Sequence, residues 1–260
     1  AMGIRVPCGV VVGIAPWNAP IILGTRAVAT PLACGNTVIL KASEQCPATH
    51  HLIGEVLVEA GLGEGVVNVV TNAPHEAPQI VETLIAHPEV ARINFTGSTG
   101  VGRIIAEKAA HHLKPVLLEL GGKAPFLVLD DADLDAAVDA AIFGAFFNQG
   151  QICMSTERLI VDASVADAFV DKLATRAAAL KVGDPRGEGN ALGTLINAES
   201  GQKLNALLDD AESHGARLAA GGRADGVIMP ATVVDGVTPA MRLYSEESFG
   251  PVVAVIRVDG

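Results

Sequence analysis

The chain has 260 residues, enough for one large domain or two ordinary ones; half are apolar and only 18% are charged, a composition that excludes a disordered chain. A net charge of −11 at pH 7 excludes the clustered basic surface that nucleic acid requires. No apolar run reaches the roughly 18 residues of a membrane span, no signal peptide opens the chain, and its four cysteines, without C-x-x-C spacing, read as reduced thiols of a cytoplasmic protein.

From Gly9 to about Asp130, β-like runs alternate with helix-length stretches. Strands are expected at 10–15, 36–41, 66–70, 91–95 and 115–120, and helices near 19–29, 48–60, 76–86 and 99–110. Near-continuous apolar strands separated by helices predict a parallel sheet covered on both faces. Ligands of such sheets bind at the carboxyl ends of the strands. Asn18, Lys41 and the glycine-rich stretch 96–102 all fall there. From about Gly121 a second α/β unit begins, with strands at 126–129, 158–161 and 252–258 and helices at 133–147, 165–180 and 202–214. Asp131 or Asp133 is expected to cap the first of these helices. The expected domains are therefore 1–120 and 121–260.

Four local patterns carry candidate chemistry. Cys153, in Gly150-Gln151-Ile152-Cys153, offers a thiol that attacks carbonyl carbon once ionised, although a single cysteine is more often a small buried hydrophobe. Glu119 ends an apolar strand ahead of two glycines, where it can act as a general base or simply pair with Lys123. In Pro16-Trp17-Asn18-Ala19-Pro20, two prolines bracket an amide suited to an oxyanion, or equally to an N-cap. The run Thr96-Gly97-Ser98-Thr99-Gly100-Val101-Gly102 departs from G-x-G-x-x-G. It still sits where a strand leads into a helix and a phosphate meets free N–H groups, with a plain glycine turn as the alternative.

Taken in order, and joined by Lys41-Ala42-Ser43-Glu44 and Glu246-Glu247-Ser248-Phe249-Gly250-Pro251, these motifs resemble the aldehyde dehydrogenase superfamily over essentially the whole chain. Within it, 15–18, 31–36 and 151–158 look most like the salicylaldehyde and related aromatic-aldehyde enzymes. The resemblance implies an α/β fold, with a parallel-sheet Rossmann-like cofactor domain followed by a second α/β catalytic domain. Members are about twice as long, so both domains are expected to be incomplete: an internal fragment of a full-length, homo-oligomeric enzyme.

The resemblance also implies roles. Cys153 is the nucleophile that passes through a thiohemiacetal and a thioester. Asn18 holds the oxyanion, and Glu119 activates the hydrolytic water. NAD is the implied cofactor, with Lys41 and Glu44 at the adenosine ribose and Gly97, Ser98 and Gly102 at the pyrophosphate beside Trp17. Glu247 is placed at the nicotinamide ribose and Phe249 near its ring. Ala19, Leu23 and Arg26, at i, i+4 and i+7, line the substrate tunnel and favour a hydroxylated aromatic aldehyde. No metal, nucleic acid or membrane is implied. Two other readings are a truncated remnant that keeps only the fold and nucleotide binding, and a coenzyme A-acylating enzyme, which Glu119 argues against.

Overall fold

In the computed structural model, which describes residues 2–260, the first apolar run forms β1 (Val10–Ile14). It pairs with β2 (Thr37–Lys41) on one side and β4 (Val90–Thr96) on the other. β3 (Val67–Val70) adds beyond β2 and β5 (Val116–Glu119) beyond β4. The order is β3-β2-β1-β4-β5, and every pairing is parallel. A central strand covered on both faces needs no polar alternation, and Val11, Val12 and Ile14 are all buried.

The period of two still decides which face each residue joins. Val11 packs with Ala27 and Val28 of α1 (Pro20–Ala33) and with Ile53 of α2 (Pro47–Glu59). Val12 packs with Ile85 of α3 (Ala77–Ala86) and Ile105 of α4 (Thr99–His111). α1 runs past the expected end at 29 even though Pro31 lies in its last turn. The proline forfeits one helix hydrogen bond there without ending the helix, and the chain leaves it at Gly35, where φ is +80°. Because β2 and β3 build outward on one side of β1 and β4 starts the other, the crevice between β1 and β4 is a topological switch point.

Chain contacts separate a unit ending at Gly121 from a second, Gly122–Gly260. The second holds β6 (Ala124–Val128), β7 (Thr156–Asp162), β8 (Arg217–Ala220), β9 (Thr232–Asp235) and β10 (Val252–Val258), in the order β6-β7-β10-β9-β8. Only β8 runs antiparallel to its neighbour. α5 (Leu134–Phe146) and α6 (Ala163–Ala178) share one core cluster with Leu159 and Val253, while α7 (Ala198–Ser213) supplies a second with Val234 and Ala254. Asp133 is the cap of α5, accepting hydrogen bonds from the N–H groups of Asp135 and Ala136. Three short elements were not expected: β8, β9 and the single turn α8 (Arg242–Ser245). β8 is built from Arg-Leu-Ala-Ala, which has little strand preference, and α8 is a single turn.

Candidate active site

In the first unit, the predicted groups stand at the carboxyl ends of the strands. Ile14 is in register with Lys41 and Phe95, and Thr96 with Glu119, so these positions share one level of the sheet. Asn18 follows just beyond β1. The N-cap position of α1 is Ala19, one residue after Asn18. Lys41 is buried and paired with Glu44, whose carboxylate also accepts from Asn72 Nδ2 at 3.0 Å. Burial pushes Glu44 up, but the hydrogen bonds from Lys41 and Asn72 outweigh it and hold the carboxyl below its ordinary value. Behind this turn, buried His50 accepts from the Ser43 N–H through Nδ1 at 3.0 Å, and burial holds it neutral by lowering its pKa.

A dinucleotide fits these residues. Ser98 is the N-cap of α4 and accepts from the Val101 N–H, and the remaining N–H groups of such a first turn are donors of the kind a phosphate accepts from. A Cβ on Gly102 would lie 2.5 Å from Leu120 Cδ2, so α4 packs closely at Gly102 against the residue that follows β5. That is the close helix–strand contact a dinucleotide turn requires of its last glycine. Gly100, by contrast, has open space where a side chain would stand.

Arg26 and Glu119 form an ion pair, with Nη2 2.8 Å from Oε1, and both side chains are about half exposed. Lys123, the partner considered for Glu119 from the sequence, is bonded to Glu157. Along α1 the buried face is Leu23, Gly24, Ala27 and Val28, whereas Ile22 is 70% exposed. The open stripe of this helix therefore runs through Ile22 and Arg26, and Leu23 turns inward beside it.

In the second unit, Cys153 is exposed at the end of an unusual backbone. Asn148, Gln149 and Gly150 lie in succession in the left-handed region, with φ of 50°, 57° and 67°. Two of these are not glycine, so this stretch costs conformational energy that its surroundings must offset. Gly150 is fixed by space as well, since a Cβ there would lie 2.1 Å from the Gly250 carbonyl oxygen. Gln151, buried, anchors the loop by accepting from the Ile196 N–H at 2.9 Å.

Glu157, on β7, holds the facing loop together. Its carboxylate takes Lys123 Nζ at 2.6 Å, the N–H of Ser248 at 3.1 Å, the Ser248 hydroxyl at 2.7 Å and the Phe249 N–H at 3.1 Å. Both members of the Glu157–Lys123 pair are more than nine-tenths buried. Phe249 thereby keeps a left-handed φ of 53°. Glu247 accepts from the Gly122 N–H at 3.1 Å, and a Cβ on Gly122 would lie 3.8 Å from the Cys153 carbonyl oxygen, so Gly122 stands beside both. Burial pushes the Glu247 carboxyl above its ordinary value. Glu157 was not singled out from the sequence, where it stands between Thr156 and Arg158 at the polar start of the strand and carries no local mark. Among the described residues no group of His, Cys, Asp and Glu could hold a metal ion.

The chain matches the model of the aldehyde dehydrogenase family over residues 1–260. It is 66% identical over 260 residues to a vanillin dehydrogenase of Pseudomonas fluorescens, covering all of this chain and 54% of that protein. The crystal structure of a salicylaldehyde dehydrogenase from Pseudomonas putida G7 complexed with salicylaldehyde superposes with a TM-score of 0.96 at 52% identity, over 98% of this chain and 53% of the other. A betaine aldehyde dehydrogenase of Staphylococcus aureus, solved in complex with NAD+, gives 0.92 at 34% identity, over 98% and 51%. The chain thus spans about half the length of the relatives it matches.

Proposed function

Because this chain belongs to the aldehyde dehydrogenase family, we propose that it carries the catalytic residues for oxidising an aromatic aldehyde to the carboxylic acid through a thioester on Cys153. The observation that carries the reading is the exposed Cys153 thiol, presented by a loop in left-handed backbone and flanked by the anchored Glu247. Strain held at one place by buried partners is characteristic of a working site.

Cys153 Sγ, as thiolate, adds to the carbonyl carbon, and the Asn18 amide together with the Cys153 N–H stabilises the oxyanion. NAD, when bound, would supply the hydride acceptor needed to oxidise the thiohemiacetal to the thioester. Glu119 then takes a proton from water, whose oxygen adds to the thioester carbon; the C–S bond breaks, and the acid leaves with Cys153 restored. Glu119 favours this hydrolysis over transfer to coenzyme A. Lys41 and Glu44 would hold the adenosine ribose, with Trp17, Gly97, Ser98 and Gly102 at the pyrophosphate and Glu247 and Phe249 at the nicotinamide end. An ionised Glu44 accepts from ribose hydroxyls and repels a 2′-phosphate, which favours NAD over NADP.

Relatives named for vanillin and salicylaldehyde support an aromatic substrate, with Ala19 and the exposed Ile22 beside the ring; Leu23, expected there from the sequence, packs into the core instead. The working protein is proposed to be a cytoplasmic homo-oligomer. The test is NADH production by the full-length protein from benzaldehydes and NAD. Cys153→Ala abolishes it while NAD affinity stays within a few-fold of wild type. Turnover retained in that variant rules the mechanism out.

A further inference from the structure

One contact of the site has no part in the scheme above. Arg26, on the second turn of α1, meets Glu119, the last residue of β5, at 2.8 Å. With both side chains nearly half exposed, the pair adds little to stability in water, so the fold alone does not account for it. The neighbouring cation is otherwise engaged, since Lys123 is buried against Glu157. Arg26 is therefore the cation that Glu119 holds.

A carboxylate with one oxygen held is aimed, while its other oxygen stays free to take a proton from water. The second acid of a hydrolytic triad orients its base in the same way. A guanidinium is suited to this because it is planar, always charged and presents its donors in a rigid fork. We propose that Arg26 is the positioning residue of Glu119. It holds Oε1, leaving Oε2 to take the proton from the water that attacks the Cys153 thioester. The water oxygen bonds to the acyl carbon, the C–S bond breaks, the sulfur leaves as thiolate, and the proton rests on Oε2 until it passes to solvent. The proposal rests on the roles given above to Cys153 and Glu119. It differs from the reading of Arg26 as a contact for a ring hydroxyl, because Arg26 here acts on the base and not on the substrate.

The test needs no dinucleotide. In the full-length protein, 4-nitrophenyl benzoate acylates Cys153 with a burst of nitrophenolate, and the slow phase that follows reports hydrolysis of the acyl-enzyme. Arg26→Met leaves the burst rate within about twofold and slows the second phase about tenfold or more, a fraction of what general-base catalysis supplies. Arg26→Lys recovers part of that loss. In a Glu119→Gln background, Arg26→Met adds less than about twofold, because its route of action is already gone. The same fold loss with and without Glu119, equal slowing of both phases, or a loss confined to hydroxylated benzoates would overturn the proposal and assign Arg26 to the fold or the ring. A wild type with no Cys153-dependent burst would refute the thiol chemistry itself, and this proposal with it.

Discussion

The two units hold their functional groups by different means. In the first, Lys41 and Glu119 are the last residues of β2 and β5, and Asn18 and Ser98 follow β1 and β4 closely. Their positions are set by the hydrogen-bond ladder of a parallel sheet, so little side-chain support is needed. In the second, Cys153, Glu247 and Phe249 sit on irregular loops whose backbone is left-handed at four residues, Asn148, Gln149, Gly150 and Phe249. Those loops are pinned by buried polar side chains, chiefly Glu157 and Gln151. Where a ladder positions a group, single side chains matter little; where a loop does, one buried carboxylate matters a great deal.

The largest effect expected from this contrast is at Glu157. Glu157→Ala strands Lys123 in the interior and removes the acceptor of two backbone N–H groups, at a cost of about 3–5 kcal/mol in urea unfolding. NAD affinity falls with it as the 247–249 loop loosens. Burial already depresses the Lys123 pKa, so the amine left behind sheds its proton more readily. Adding Lys123→Met to Glu157→Ala therefore recovers part of the stability but not the NAD affinity. If the single variant loses under about 1 kcal/mol, the pinning of the loop lies elsewhere.

Next comes Gly150→Ala. The new methyl meets the Gly250 carbonyl at 2.1 Å in a residue already at φ 67°, so about 2–4 kcal/mol is lost and acylation of Cys153 slows. The smallest effect belongs to the first unit. Ser98→Ala removes only a 3.4 Å bond to the Val101 N–H and costs about 0.5 kcal/mol by thermal unfolding, with a few-fold loss of NAD affinity. If Ser98→Ala proved as costly as Glu157→Ala, the contrast between ladder and loop would collapse.

The same contrast explains what the sequence disclosed. Four of the five strands of the first unit are rich in Val, Ile and Leu, and β4, with Arg92 and Asn94 in it, alternates; each was legible to within two residues at either end. The Asn18, Lys41 and Glu119 positions followed from that ladder. Cys153 was legible only through its motif, since nothing local in Asn-Gln-Gly-Gln predicts three left-handed residues in a row. Glu157 was not legible, because its importance comes from partners far along the chain at 123, 248 and 249. The Arg26–Glu119 pair joins an early helix to a late strand and has the same long-range origin.

The central claim is that Cys153 carries the acyl group and Glu119 releases it. The direct measurement is intact mass and peptide mapping of the full-length Glu119→Gln protein after incubation with benzaldehyde and NAD. The account predicts one equivalent of NADH released rapidly, little further turnover, and a benzoyl group on the peptide containing Cys153. A benzoyl group found instead on Cys8, Cys34 or Cys46, or steady turnover equal to wild type with no adduct, would contradict it.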